Sequence, residues 1–237
     1  MARKPPSDTP RRNLYGRTRG RGLRAIQKRY LDDLAQVGLA GVKQDENPGR
    51  EKLDLEETFG DRPVWLEVGF GGGEHLVHQA VRNPGVGFVA AEPYIDGVAK
   101  LLGRIRSTGV RNIRIYPGDA RDLMDVLPEQ SVDEAFLLYP DPWPKRKHHR
   151  RRFVTPEHLD PLFSIMAPGA RFRISTDIPD YVRQAMEQVP KAGFVWQAER
   201  PDDWRKPWKD WLPTRYEQKA VREGRTPTYL TFRKPGA

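Results

Sequence analysis

Residues 139–152, YPDPWPKRKHHRRR, bring a carboxylate, an indole and a dense cationic run together in one short stretch. Asp141 lies between Pro140 and Pro142, with Trp143 and Pro144 directly behind it, so prolines restrict the backbone on both sides of the acid. Six basic side chains follow: Lys145, Arg146, Lys147, Arg150, Arg151 and Arg152. A carboxylate fixed in this way suits work on a reacting group that gains positive charge. The basic run suits a polyanion, and a solvated charged loop is the plainer alternative. Upstream, residues 132–138 (VDEAFLL) end in an apolar run, as the tail of a buried strand does.

Other short apolar runs end in the same way. Residues 64–69 (VWLEVG) carry Glu67 and lead into FGGGE, and residues 87–92 (GFVAAE) end on Glu92. Residues 112–117 (NIRIYP) precede Gly118-Asp119-Ala120, and residues 170–176 (ARFRIST) precede Asp177. Between these strands the apolar residues repeat at helical spacing, first as Leu76, Val77, Ala80 and Val81, then as Ile95, Val98, Ala99, Leu102 and Ile105. Further helices are expected at 156–166 and 178–190, with closing strands at 194–197 and 228–233. Strands alternating with amphipathic helices predict an α/β fold with a doubly wound, mostly parallel sheet of Rossmann-like type. Such a sheet binds ligands at the carboxyl ends of its strands. A lone acid there is commonly a helix cap or a turn residue. Five in register, Glu67, Glu92, Asp119, Asp141 and Asp177, make a site.

Two cofactors compete for that site. A dinucleotide site has the pattern G-x-G-x-x-G, with a pyrophosphate at the helix start. Counting from Gly69 and Gly71, Glu74 takes the place of the third glycine, where its charge repels a pyrophosphate. Gly69 and Gly71 still let the backbone turn tightly and approach a ligand. Glu92 is placed to accept both hydroxyls of a ribose, and Asp119 to accept from the amino group of an adenine. Glu67 suits a cationic amino-acid moiety. The acid-rich loops therefore favour S-adenosyl-L-methionine over a nicotinamide cofactor.

The rest of the chain bounds this reading. Absence of cysteine in 237 residues excludes a disulfide framework and a thiolate metal site, and fits a reducing, cytoplasmic setting. No apolar span is long enough to cross a bilayer, and the basic start lacks the apolar core of a signal peptide. Residues 1–30 hold ten Lys and Arg against one acid, Asp8, which equals the whole formal net charge of +9. Residues 1–50 are therefore expected to be a basic, flexible arm and linker, possessing one short helix at 30–38, and 51–237 the main domain. The arm suits a phosphate backbone, with a solubilising tail as the alternative. His75 and His78 share helical spacing, but with no third ligand in evidence no metal is expected. Neither a membrane nor an obligate protein partner is indicated.

The segments LEVGFGGGEHL (66–76), AAEPY (90–94), GDA (118–120), LLYPDPWPKRKHHRRRF (137–153), STD (175–177) and TRYE (214–217) resemble the bacterial tRNA (guanine-N7)-methyltransferases. The resemblance runs in order over about 64–233, and the DPWPK-x-x-HH-x-RR run is far more specific than any glycine loop. It implies that Glu67, Glu92, Asp119 and Asp141 contact S-adenosylmethionine, with Asp141 also the catalytic residue. It implies substrate contacts from Lys145, Asp177, Thr214, Arg215, Tyr216 and Glu217. Lys147, His148, His149, Arg150, Arg151 and Arg152 would contact RNA, and the target would be the guanine at tRNA position 46, in the variable loop. AEPYIDGV and TRYE depart from commoner forms while keeping the charges and the aromatic ring. The basic arm lies outside the matched core.

The implied chemistry needs little apparatus. Guanine N7 has a free lone pair, so no base need remove a proton before attack. Positive charge develops on the purine, and a carboxylate at Asp141 favours it. Asp177 or Glu217 can accept from the guanine pairing edge, and the sequence does not separate them. Trp143 either stacks on a base or packs. Trp196, Trp204, Trp208 and Trp211 are expected to pin the final segment, with an RNA-stacking platform as the alternative. Two other functions compete: methylation of an exocyclic amino group, since D-P-W-P is similar to the loops of such enzymes, and an RNA-binding module without activity.

Overall fold

The computed structural model describes residues 13–16, 18–20 and 22–236. Its strands follow the apolar runs: β1 (Val64–Val68), β2 (Gly87–Ala91), β3 (Ile113–Tyr116), β4 (Val132–Leu138), β5 (Met166–Thr176), β6 (Val195–Trp196) and β7 (Thr228–Arg233). They form one sheet in the order β3-β2-β1-β4-β5-β7-β6. β1 to β5 are parallel, and β7 runs antiparallel to β5 and β6. The order reverses beside β1, which opens a crevice at the carboxyl ends of β1 and β4. The helices are α1 (Ala25–Tyr30), α2 (Leu34–Val37), α3 (Leu55–Phe59), α4 (Glu74–Arg82), α5 (Ile95–Thr108), α6 (Ala120–Val126), α7 (Pro156–Ile165), α8 (Pro179–Lys191), α9 (Asp202–Arg205) and α10 (Arg215–Arg222). No helix among the described residues is long and apolar enough to cross a membrane.

Both faces of the sheet are covered, as its continuous apolar strands require. Along β2, Phe88 and Ala90 enter one core with Leu76, Leu101 and Ile113, while Val89 and Ala91 enter the other with Leu123, Leu137 and Ile174. Residues 25–50, expected as arm and linker, pack as part of the domain. Tyr30, Leu31, Leu34 and Val37 lie against the first core, and Val42, Leu55 and Phe59 are buried in the second. The Leu39 N–H donates to Ile115 O at 2.9 Å, which covers the exposed edge of β3. Charge dominates the composition here, but a few apolar side chains decide the packing. Asp54 caps α3 by accepting from the Glu57 N–H at 2.7 Å, the one local signal for that helix. Residues 1–12 of the basic arm lie outside the described residues.

On α4 Leu76, Val77 and Ala80 are buried as expected, but the stripe is shifted at its edges. Val81 is 53% exposed, while His75 and Gln79 are buried beside Leu76 and Ala80. Both polar residues have partners in the interior. His75 Nδ1 lies 2.7 Å from Glu67 Oε2, and Gln79 Nε2 donates to Asp210 O at 3.0 Å.

The Trp-rich connection docks on that polar layer. Trp208 and Trp211 both meet Tyr229 edge-on at 5.6 Å, and Trp208 Nε1 donates to Thr231 Oγ1. Arg173 on β5 donates to Asp210 Oδ1 at 3.0 Å and stacks over Trp208 at 5.2 Å. Its Nε lies 2.6 Å from Glu134 Oε1 in an ion pair without hydrogen-bond alignment. Glu134 is 1% exposed, and burial raises its pKa against the pull of Arg173 and Arg171. Replacing Arg173 by alanine would leave Glu134 Oε1 and Asp210 without their shared cation, with only the more exposed Arg171 still paired to Glu134 Oε2. Urea unfolding of Arg173→Ala is expected to show a loss of about 3–5 kcal/mol, and a loss below about 1 kcal/mol would contradict this account of the docking.

Candidate active site

The glycine loop after β1 is shaped by its neighbours. Gly71 has φ +55°, and its N–H donates to Glu92 Oε2 at 2.7 Å. The other oxygen, Oε1, accepts from the Tyr94 N–H at 2.9 Å. Glu92, at the end of β2, therefore ties the β1 and β2 loops together. Helix α5 starts so close behind that a Cβ at Gly97 would lie 2.2 Å from Gly71 O. Gly97 is thus a site-forming residue that helical periodicity alone does not reveal.

Asp119 N-caps α6, accepting from the Arg121 N–H at 3.0 Å, and its other oxygen takes Arg121 Nη2 at 2.6 Å. Arg121 also donates to Glu157 Oε1 at 3.0 Å and to Asn13 O at 2.9 Å. It was not anticipated, because its partners lie far apart in sequence.

After β4 the backbone departs from ordinary geometry twice, at Tyr139 (φ +48°) and Trp143 (φ +39°). Such conformations cost free energy and persist only where the surroundings impose them. Tyr139 is fixed by its N–H, which donates to Ser175 O at 2.7 Å, and at Trp143 the imposing group is Arg152, whose side chain is 1% exposed. Its Nε donates to Pro142 O at 2.8 Å and its Nη1 to Gln184 Oε1 at 2.9 Å, while Nη2 lies 2.8 Å from Asp180 Oδ2. The guanidinium also covers the Tyr181 ring at 5.2 Å and holds the Asp180 carboxyl below the usual range. Arg152, expected to face RNA, instead anchors the loop from inside. A buried guanidinium has five donors to satisfy, and carbonyls and carboxylates satisfy them here.

The loop so held presents Asp141 to a cavity of about 650 Å³. Glu92, Asp119 and Asp141 line it with Gly69, Gly71, Arg215 and Tyr216, and three residues of the arm, Leu14, Tyr15 and Gly16, close another side. Asp141 has no hydrogen bond or ion pair among the described residues, and its pKa is raised by the surrounding protein. Burial likewise raises Glu92, the charge of Asp141 adds to this, and the two backbone donors oppose it.

The remaining expected site residues divide. Glu67 does not line the cavity; it is buried, and its carboxylate is closed by His75. Glu217 is buried on α10, where it accepts from Trp211 Nε1 at 2.6 Å and Tyr229 OH at 2.7 Å. Thr214 caps α10 by accepting from the Glu217 N–H at 3.3 Å. Asp177 pairs through Oδ2 with Arg225. Arg215 stacks on Tyr216 at 4.8 Å and donates to its hydroxyl. Lys145, Lys147 and Arg150 are exposed, and Arg151 lies 5.0 Å over the Trp143 ring. His149 approaches Asp180 at 3.2 Å. His148 meets the Trp143 edge at 5.9 Å, with its pKa lowered by desolvation and the neighbouring cations.

A methyltransferase family model matches residues 61–230. Relatives from Ruegeria pomeroyi and Roseobacter denitrificans, each named tRNA (guanine-N(7)-)-methyltransferase, are 64% and 65% identical to this chain. The matches cover 96% and 94% of the chain and 96% of each relative. The chain belongs to the tRNA (guanine-N7)-methyltransferase family. Membership reaches well beyond the motifs, into residues 25–60 and the Trp-rich connection. The fold is that of class I methyltransferases: the crystal structure of the 16S rRNA methyltransferase KamB superposes with a TM-score of 0.57 at 19% identity, covering 78% of this chain and 95% of that one.

Arg152 and Arg150 should separate in experiment. Arg152→Ala is expected to lower stability by about 2–3 kcal/mol, as lost bonds to a charged group do, without changing the salt dependence of tRNA binding. Arg150→Ala should leave stability alone and reduce the slope of log K against log salt by about 1. A reduced slope in Arg152→Ala at unchanged stability would show that Arg152 meets phosphate after all.

Proposed function

We propose that this protein transfers a methyl group from S-adenosylmethionine to N7 of a guanine in tRNA, at position 46 of the variable loop, with Asp141 as the catalytic carboxylate. The observation that carries the proposal is the placement of the Asp141 carboxylate at the cavity wall with Glu92 and Asp119, next to an exposed cationic loop. Family membership supports the reaction class. It removes the support for a binding module without activity and for an exocyclic-amine enzyme. Action on tRNA in a bacterial cell fits a cytoplasmic location.

The residues present fit the cofactor. Glu92 and Asp141 repel each other across a partly desolvated space, so a cationic ligand would relieve both. Bound there, S-adenosylmethionine supplies an electrophilic methyl group on a sulfonium centre. Gly69 and Gly71 would offer backbone at close range, Glu92 would fix ribose hydroxyls, and Asp119 Oδ1, which accepts only the Arg121 N–H among the described residues, keeps one lone pair for an adenine amino group. Glu67, closed by His75 behind β1, would support the glycine turn and not touch the cofactor.

The guanine edge has one better reader. Both oxygens of Glu217 already accept from Trp211 and Tyr229. Asp177 uses only Oδ2, so Asp177 is assigned to the pairing edge and Glu217 to holding the segment that carries Arg215 and Tyr216. Lys145, Lys147 and Arg150 would meet phosphates.

Asp141 must be ionised to oppose positive charge on the purine. Burial raises its pKa, so the ionised form is lost on acidification at a higher pH than for an ordinary aspartate. The acid limb of kcat should therefore lie at higher pH than an ordinary aspartate would give. Asp141→Asn should abolish that limb and lower kcat about 10²- to 10³-fold, with tRNA affinity within about twofold of wild type. Wild-type rates in Asp141→Asn would remove the carboxylate from the mechanism.

A further inference from the structure

One wall of the cavity comes from outside the family motifs. Leu14, Tyr15 and Gly16 line it, and the segment is hung from both sides of the crevice. On the α6 side, Asn13 O accepts from Arg121 Nη2 at 2.9 Å. On the α5 side, Thr18 O accepts from the Ile95 N–H at 3.1 Å, and the Gly20 N–H donates to Asp96 Oδ2 at 3.0 Å. At Gly20 the chain packs tightly on this side, a Cβ there lying 2.6 Å from Tyr94 OH. These anchors belong to the elements that carry Asp119 and follow Glu92.

Between the anchors, Tyr15 reaches the opposite rim. Its ring meets Trp143 edge-on at 6.4 Å, and the Arg151 guanidinium lies over both rings, at 4.8 Å from Tyr15 and 5.0 Å from Trp143. Gly16 passes beside Asp141, close enough that a Cβ would sit 3.4 Å from Oδ2. Tyr15 remains 38% exposed, so this contact is a latch that can open. With the strap in place the cavity still measures about 650 Å³, well inside the range of small-molecule sites.

We infer that residues 13–16 and 18–20 form the roof of the methyl-donor site, latched by Tyr15 onto Trp143 and Arg151, and that the bound nucleoside is retained beneath it. The inference rests on the cavity being the S-adenosylmethionine site. It gives the segment before the family core a task of its own: Tyr15 sets how long the donor or its product stays bound. Retention, rather than exclusion, follows from the room left under the strap and from anchors made by the very elements that line the site.

The test is calorimetric binding of S-adenosylhomocysteine without tRNA, with the dissociation rate followed by chase. Tyr15→Ala removes a ring pair and a cation–π contact, so Kd should rise about tenfold, chiefly through faster dissociation. Tyr15→Phe, which keeps the ring, should stay within about twofold of wild type. Asp96→Ala, which frees the far anchor at Gly20, should weaken binding about threefold. Exchange of the Ile95 amide should be slowed by the ligand in wild type and accelerated in Tyr15→Ala. Unchanged Kd in both alanine variants, or tighter binding in Tyr15→Ala, would overturn the roof while leaving the cofactor site standing. Failure of wild type to bind S-adenosylhomocysteine would overturn the site and the roof together.

Discussion

The Arg152 guanidinium is the contact on which the site depends. It is buried at the end of the basic run and grips Pro142 O, Gln184 and Asp180, so the loop after β4 is held from within the domain. Tyr139 and Trp143 keep left-handed conformations that a free loop would relax. Asp141 lies between those two positions. Its placement is therefore set by α8, through Asp180 and Gln184, as much as by β4. The same run of sequence thus serves two ends: Arg152 builds the loop, while Lys145, Lys147 and Arg150 stay in solvent.

Electrostatics divides the molecule in a matching way. Carboxylates gather at the strand ends and cations on the loop beside them; the cavity wall carries both, Glu92, Asp119 and Asp141 with Arg121, Arg151 and Arg215, and the exposed rim suits a polyanion. A second, largely buried polar layer lies behind the glycine loop. Glu67, His75, Gln79, Asp210, Arg173 and Glu134 join β1, α4, β4 and β5 to the Trp208–Trp211 turn. From that turn, Trp211 and Tyr229 hold Glu217, and Glu217 holds the start of α10 with Arg215 and Tyr216 at the cavity wall. Buried charges of this sort resist substitution of one partner far more than they add stability as a pair.

Much of this was legible in the sequence, for a local reason. A strand, its terminal carboxylate and the next helix are neighbours in the chain, so period and motif placed Glu92, Asp119 and Asp141 at one crevice. The fold class followed from the same alternation. Tertiary partner choice was not legible. Glu67 and Arg152 carry the right charges for ligand and RNA, but His75 and Asp180 claim them inside the fold. Val81 looked apolar enough for the core, yet His75 and Gln79 took the buried positions because acceptors waited there. Residues 25–50 looked like linker because charge outweighed the few apolar side chains that pack. Glu217 and Asp177 are alike in sequence; in the fold Trp211 and Tyr229 occupy Glu217, while Asp177 pairs with Arg225.

The most direct test of the central claim is nucleoside analysis of unmodified tRNA after incubation with the protein and methyl-labelled S-adenosylmethionine. The account predicts label in 7-methylguanosine alone, at a single guanine of each substrate tRNA. Label in an exocyclic methylamino nucleoside, or no transfer despite cofactor binding, would contradict it.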